Sequence, residues 1–423
     1  MTDIYFASGV RTPFSKVDGA LAAYDAVELS VPVVQAMAAR LKPGTQADMM
    51  LWGSVVPNLG WSNIAREIWL DTRLDPTVPA YTVVLACASS VTAAIAAGGM
   101  LQDGVRDLAI VGGAESLSRV QIGLNQKLSD WLRHFLGARS LGAKLETFSE
   151  LHWNNVRLHI PAIVNRTTGK SMGEHTEETA KEWHISRMAQ DEWALKGHRR
   201  VVAARERGFF DDLIIRMGSL DRDTIPRADT SMEKLARLPP AFDRVSGQGS
   251  LTAGNSSPLT DGAASVWVAT KAGLSRLSDN TSFARLVDFE ITSIDLRNEG
   301  LLMAPSYAIP RLFARHNLRY DDIDLWEIHE AFAAQVLANV AALEDEGWIK
   351  EKTGISRDFG KFPWDRVNPN GSSIAIGHPF AATGARDLSQ CVKELFAMRA
   401  GSRAVVSVCA DGGQGVVALL ERP

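Results

Sequence analysis

Apolar runs and apolar repeats alternate along the first quarter of the chain. Ile4-Tyr5-Phe6-Ala7 reads as a strand. The turn Gly9-Val10-Arg11-Thr12-Pro13 follows, and then a helical pattern over 26–41 that Pro43-Gly44 stops. Strands are predicted at 49–55, at 81–85, and at Leu108-Ala109-Ile110-Val111, which runs into Gly112-Gly113. The Ala/Gly-rich run from Val91 to Met100, free of proline, reads as a helix packed closely on its surroundings. Strand and helix in alternation predict an α/β fold. The same grammar closes the chain, with a helix over 383–397, a strand over 404–408 and then Gly412-Gly413. Two segments ending in strand plus Gly-Gly point to an internal duplication.

Between them the pattern changes. From Val120 to Arg244 strand signals are scarce and charged, helical sequence dominates, including 186–207 with Ser186 as N-cap and Gly208 as stop. Leu238-Pro239-Pro240 marks the exit, and 247–262 is a Gly/Ser/Asn-rich loop too long for a simple connector. The expected division is an N-terminal half at 1–120 plus 245–272, an inserted helical domain at 121–244, and a C-terminal half at 273–423. Within the insertion, Leu128, Trp131, Leu132, Phe135 and Leu136 share one helical face, and Leu141, Leu145 and Phe148 extend the pattern. Residues 126–166 hold six Lys/Arg against three Asp/Glu, so this stretch is locally basic. Such a face either packs on its own domain or docks elsewhere.

Composition narrows the field modestly. A chain of 423 residues exceeds what one core comfortably serves, which predicts more than one domain or a large insertion. Net charge −4 gives no global reason to bind nucleic acid, and no apolar run is long enough to span a bilayer. The three cysteines, Cys87, Cys391 and Cys409, are too dispersed for a disulfide framework or a zinc site and suit a reducing compartment. With no basic then apolar leader before the first strand, the expected location is the cytoplasm.

Chemistry enters at four places. Cys87 follows the strand of 81–85 and precedes the small-residue helix, a junction where free N–H groups and the helix dipole favour a thiolate. On that stretch alone, burial as a small hydrophobe is the commoner role of cysteine. His329-Glu330-Ala331-Phe332 begins like a zinc-binding helix, but residue 333 is alanine and the second histidine is missing. His378 lies in the rigid turn Gly377-His378-Pro379, a setting that suits a general base. Cys409 stands at a strand end before Asp411-Gly412-Gly413, and Thr252-Ala253-Gly254-Asn255-Ser256-Ser257 offers backbone and hydroxyls to a polar ligand.

In that order, and with Gly112-Gly113-Ala114-Glu115-Ser116 and Ser171-Met172-Gly173, these segments resemble the thiolases, 3-ketoacyl-CoA acyltransferases, over essentially the whole chain. His-Glu-Ala-Phe in place of Asn-Glu-Ala-Phe, with a longer segment before Gly-His-Pro, is most similar to the thiolase subunit of trifunctional fatty-acid oxidation complexes. The resemblance implies duplicated α/β halves packed in layers with an inserted, mainly helical loop domain. It implies catalysis by Cys87, His329, His378 and Cys409, backbone oxyanion donors at Cys87 and Asp411, and substrate contacts at Ser257, Met172 and Phe332. Coenzyme A is then a substrate, and neither a tightly bound cofactor nor a metal is expected. The implied assembly is a homodimer or dimer-based oligomer, with a hydratase/dehydrogenase partner or a membrane surface for 126–166. The alternatives are a biosynthetic acetyltransferase, a ketoacyl-synthase-like condensing enzyme using two histidines, and a non-catalytic lipid-binding or scaffold subunit. Asp411 departs from the Gly or Ala usual there and would oppose an oxyanion unless turned away or protonated. Ser90, where many members have Gly, is expected to alter packing only.

Overall fold

The computed structural model describes residues 2–152 and 156–423. The first half contains β1 (Tyr5–Arg11), β2 (Ser15–Lys16), α1 (Ala26–Ala38), β3 (Met49–Gly53), α2 (Ile64–Asp71), β4 (Ala80–Thr82), α3 (Ser89–Met100) and β5 (Leu108–Glu115). An excursion follows through β6 (Gly123–Leu124), α4 (Gln126–Gly137), α5 (Leu141–Ser149), β7 (Leu158–His159), α6 (Met172–Glu182), α7 (Arg187–Glu206) and α8 (Met232–Ala236). The chain then rejoins its first half through β8 (Thr260–Ala269) and the short α9 (Lys271–Leu274). The second half comprises β9 (Phe283–Ser293), α10 (Ala304–His316), β10 (Leu325–Ile328), α11 (Ala333–Leu343), α12 (Glu346–Thr353), α13 (Ser373–Ile376), α14 (Thr383–Phe396), β11 (Arg403–Ala410) and β12 (Gln414–Glu421).

Ten of the strands form one sheet in the order β10-β11-β12-β9-β1-β8-β5-β3-β4, with β2 paired to β8 off that path, while β6 and β7 pair only with each other. Its pairing rules repeat. In the first half β1 and β5 each pair antiparallel with β8, and β3 is parallel to β5. In the second half β9 and β11 each pair antiparallel with β12, and β10 is parallel to β11. The duplication hinted at by the paired Gly-Gly strand ends, β5 and β11, is therefore a repeat of topology, and the halves join where β1 lies antiparallel to β9.

Alternation along the strands builds the layers. On β5, Ala109 and Val111 face a central core with α3 and α14, while Leu108 and Ile110 face α1 and α2. On the second half, Val406 and Val408 of β11 join the same central core, and Val405 turns to α10 and α11. Helices α3 and α14 thus share the middle layer. Small residues let them approach: a Cβ on Gly384 would come within 2.7 Å of the Val91 nitrogen. Ser90 does more than fill space, since its hydroxyl accepts from the Ala385 N–H at 2.8 Å and ties α3 to α14.

The strand expected over 49–55 ends at Gly53, and three other boundaries shift from the sequence expectation in ways that can be followed locally. The strand predicted over 81–85 ends at Thr82, because Ser89 takes over the backbone beyond it: its hydroxyl accepts from Leu85 N at 2.9 Å and donates to Ala86 O at 2.7 Å. The helix predicted over 26–41 ends at Ala38, and the next turn tightens through Arg40 N to Met37 O and Leu41 N to Ala38 O. The loop expected over 247–262 stops where β8 begins at Thr260. The predicted cap at Ser186 is present, its hydroxyl accepting from Ala189 N.

The α4–α5 hairpin closes on itself. Trp131 stacks on Phe135 with ring centroids 5.4 Å apart, meets Phe148 edge-on, and donates from its indole N–H to Thr147 O at 2.7 Å. No residue of either helix is buried, and Leu136, Leu141, Leu145 and Phe148 are each more than half exposed. The apolar face predicted from the periodicity therefore exists; Leu128, Trp131, Leu132 and Phe135 are half-buried in the hairpin, and the described residues leave Leu136, Leu141, Leu145 and Phe148 uncovered. Residues 153–155 of the 126–166 segment lie outside the described residues. Replacing Leu141 and Leu145 together with Ser should leave stability within about 1 kcal/mol, the range of exposed substitutions. Leu388→Ala, in the fully buried stretch of α14, should cost about 2–5 kcal/mol. Urea melts of both variants check the contrast.

Candidate active site

Cys87 owes its position to strain and to a helix end. Ala86 adopts φ +43°, a left-handed backbone that costs a non-glycine residue about 1 kcal/mol or more and that the Ser89 hydroxyl bonds hold in place. The turn throws the Cys87 side chain out just before α3, whose N-cap residue Ala88 supplies no side-chain acceptor. His378 comes from the other half. Gly377, at φ +116°, lies against Thr260 and Ile225 so closely that a Cβ would clash, and Thr260 Oγ1 accepts from the His378 N–H at 3.0 Å. These constraints bring His378 Nε2 to 3.2 Å from Cys87 Sγ.

The far side of that imidazole is equally determined. Nδ1 of His378 lies 2.6 Å from Thr383 Oγ1, and the Thr383 hydroxyl donates to Pro379 O at 3.1 Å. A hydroxyl that spends its hydrogen on a carbonyl must accept from the ring, so Nδ1 carries the proton and Nε2 presents a lone pair to the thiol. That is the tautomer of a general base.

His329 stands beside His378 with ring centroids 4.2 Å apart, and its Nδ1 lies 2.8 Å from Ser373 Oγ. One ligating atom each of Cys87, His329 and His378 falls within 4.8 Å of the others, a donor set that a soft cation could occupy, made of the same atoms that covalent chemistry would use. The Glu330 carboxylate next to His329 is a clamp: it accepts from Trp193 Nε1 at 3.0 Å, Asn368 Nδ2 at 2.8 Å and Ile374 N at 3.3 Å. Asn368 also bonds both the N–H and C=O of Ile328, fixing the strand end from which His329 projects.

Cys409 is buried at the end of β11, in an apolar cluster with Leu251, Leu301, Ala331 and Phe332, against which Met172 and Phe242 pack. Cys409, Met172 and Phe332 therefore lie in one apolar cluster. Ser257 is less free than the sequence suggests. Its N–H and hydroxyl both donate to Ala331 O, at 3.0 and 2.9 Å, stapling the Thr252–Ser257 loop to the His329–Phe332 turn.

The electrostatics overturn one expectation. Burial, reinforced by the Asp411 carboxylate, pushes the Cys87 thiol up to about 12, although the backbone N–H groups of Asp411 and Cys87 favour the thiolate. Burial and the nearby Arg386 guanidinium hold His378 down to about 3. Both shifts favour a neutral thiol beside a neutral imidazole, although Cys87 itself is only half-buried, and the helix terminus does not by itself outweigh them. Burial likewise raises the Cys409 thiol and lowers His329.

Asp411 is turned aside. Its Oδ1 accepts from Asn165 Nδ2 at 2.8 Å and from Gly412 N at 2.6 Å, leaving its own N–H free to point at Cys87 Sγ. Asn165, Thr383, Ser373, Asn368 and Arg386 were not singled out from the sequence. Only Thr383, a hydroxyl one helical turn beyond the Gly-His-Pro motif, carried a local signal.

Comparison with known proteins places these residues in a family. Residues 4–272 match the family described as "Thiolase, N-terminal domain" and residues 280–422 match "Thiolase, C-terminal domain". The chain is 36% identical to a 3-ketoacyl-CoA thiolase of Shewanella halifaxensis, covering 99% of this chain and 96% of that protein. Another 3-ketoacyl-CoA thiolase, from Yersinia enterocolitica, is 37% identical with the same coverage of 99% and 96%. The crystal structure of the Acat5 thiolase from Ascaris suum in complex with coenzyme A superposes with a TM-score of 0.80 at 25% identity, covering 100% of both chains. The chain belongs to the thiolase family.

A thiol near 12 loses its proton progressively as pH rises, so thiolate at Cys87 should increase about tenfold per pH unit between pH 7 and 9. Iodoacetamide labelling mapped to the Cys87 peptide should follow that slope; a plateau below pH 8 would contradict the neutral pair. Asp411→Asn removes a negative neighbour and should speed labelling at fixed pH by roughly two- to fivefold at low salt.

Proposed function

We propose that the protein is an acetyl-CoA C-acyltransferase that cleaves 3-ketoacyl-CoA with CoA to acetyl-CoA and a shortened acyl-CoA. The observation that carries this reading is the 3.2 Å contact between Cys87 Sγ and His378 Nε2. His378 takes the thiol proton as Sγ adds to the C3 carbonyl carbon of the substrate. The neutral resting pair means that charge appears only as this bond forms, in a site where fixed donors are worth most. The tetrahedral oxyanion is received by the backbone N–H groups of Cys87 and Asp411, the two that already favour negative charge at Sγ.

Collapse of that intermediate breaks the C2–C3 bond. The electron pair passes to C2 as the enolate of acetyl-CoA, whose thioester oxygen is held by Nε2–H of His329 and by His378 in its newly protonated form. Cys409 gives its proton to C2, and acetyl-CoA leaves. The shortened acyl group remains as a thioester on Cys87 until a second CoA, deprotonated by Cys409 or His378, attacks its carbonyl. Met172 and Phe332 line the acyl end, and Ser257 lies along the pantetheine. Coenzyme A is a substrate on this account, and no step calls for a tightly bound cofactor.

The arrangement of one cysteine with two histidines also suits a condensing enzyme, and Cys409 separates the readings. Only an enzyme that protonates and deprotonates acetyl-CoA at C2 needs a second thiol there. The physiological setting proposed is fatty-acid β-oxidation in the cytoplasm. No helix of the described residues is long and apolar enough to cross a membrane. The outer edge of β4, followed by the exposed Val84 beside Cys87, offers an unpaired strand for a second copy of the chain, consistent with a homodimer. The exposed leucines of α4 and α5 and the surrounding basic residues fit a hydratase/dehydrogenase partner or a membrane surface.

Two measurements test these assignments. The wild-type protein should exchange the methyl protons of acetyl-CoA with deuterated solvent, and Cys409→Ala should lose that exchange; undiminished exchange in the variant removes Cys409 from the mechanism. If the hairpin docks, the Leu141→Ser, Leu145→Ser double variant should lose binding to anionic vesicles or to the partner while keeping its melting temperature. Unchanged binding to both would leave the hairpin without a docking role.

A further inference from the structure

Two buried histidines stand side by side at this site, and the proposed chemistry asks opposite things of them. His378 must offer Nε2 as an acceptor, whereas His329 must offer Nε2 as a donor. An imidazole decides this by what its other nitrogen meets. Thr383 settles His378, as described above. The partner of His329 is Ser373, and the surroundings of that hydroxyl differ in one decisive respect.

Ser373 Oγ lies 2.8 Å from Arg386 Nη2 and 2.8 Å from His329 Nδ1. A guanidinium only donates. The hydroxyl therefore accepts from Arg386 and still has its own hydrogen to place, in a side chain that is fully buried. Among the described residues His329 Nδ1 is the one acceptor within its reach. Were Nδ1 instead to carry the proton, Ser373 would accept twice and its hydrogen would be stranded in the core, a costly arrangement. Arg386 is itself locked in place, with Nη1 3.0 Å from the Glu327 carboxylate and 2.6 Å from that of Asp387. At the other end of the chain of bonds, His329 Nε2 is buried and meets no hydrogen-bond partner among the described residues. An unpartnered donor at that depth is in place for an acceptor that arrives with the substrate.

We propose that Arg386 and Ser373 are positioning residues that fix His329 in its Nε2–H tautomer, so that it enters the reaction as a hydrogen-bond donor while Thr383 keeps the adjacent His378 as an acceptor. The hydroxyl at 373 and the imidazole at 329 form one functional unit. This rests on the reading of His329 as an oxyanion donor given above. It goes beyond that reading in naming what sets the direction of the bond.

The test uses the full-length protein labelled with ¹⁵N-histidine, the His329 signals being assigned by their loss in His329→Asn. In the wild type the ¹⁵N shifts should report protonated Nε2 and bare Nδ1 at His329, and the reverse at His378. Ser373→Ala should shift the His329 signals toward the Nδ1–H form and lower kcat by about ten- to a hundredfold, approaching the loss of one oxyanion donor, with KM unchanged. Ser373→Thr, which retains the hydroxyl, should restore both the shifts and the rate. A wild-type His329 protonated at Nδ1 overturns the proposal, and so does a Ser373→Ala protein whose shifts and kcat match the wild type. The shifts are read without substrate, so failure of acyl transfer in the wild type would refute the proposed function and leave the tautomer assignment standing on its own signal.

Discussion

The contact between Cys87 Sγ and His378 Nε2 joins residues 291 positions apart, and it exists only because two halves of the same topology share a middle layer of helices. Each half contributes one member from the equivalent place in its topology. Cys87 sits at the start of α3 and His378 just ahead of α14, the two helices that pack against each other through Ser90, Val91, Gly384 and Ala385. The Ala/Gly content of α3 is thus the condition for bringing thiol and imidazole within reach. Larger side chains on that helix face would separate them before they altered any catalytic atom.

The dryness of the site sets its chemistry. Burial pushes the thiol to about 12 and the imidazole to about 3, opposite in direction to a thiolate–imidazolium pair. Arg386 adds to the second effect by placing a permanent positive charge close to both histidines. In a site of this kind charge is generated where fixed donors wait for it. Asp411 fits the same logic. Its carboxylate works against a thiolate, yet Asn165 holds it to one side so that its backbone N–H still faces Sγ.

Much of this was legible in the sequence, and the boundary of legibility has a physical origin. Alternating apolar patterns and the recurrence of Gly-Gly after strands foretold the α/β class and the duplicated halves, because periodicity is a local consequence of burial. The family resemblance named Cys87, His329, His378 and Cys409, and the fold brings the first three within 4.8 Å of one another with Cys409 close to Cys87. The helix end that favours a Cys87 thiolate was visible in the sequence, whereas the burial that opposes it depends on everything packed around the thiol. Ser373, Arg386, Asn368 and Asn165 were missed for a related reason. Their roles come from long-range pairing, such as the 246 positions between Asn165 and Asp411, and no spacing rule encodes it. The α4–α5 hairpin shows the converse: its apolar stripe was plain in the sequence, but only the structure shows that the hairpin half-covers Trp131 and Phe135 and leaves Leu136, Leu141, Leu145 and Phe148 exposed.

The central claim is that an acyl group passes through the Cys87 sulfur. The protein mixed with a 3-ketoacyl-CoA in the absence of free CoA, quenched in acid and mapped by peptide mass spectrometry, tests it directly. The account predicts that the peptide containing Cys87 gains the mass of the shortened acyl group, and that added CoA removes it as the matching acyl-CoA. Turnover with the Cys87 peptide unmodified, or an adduct confined to Cys409 or Cys391, would contradict it.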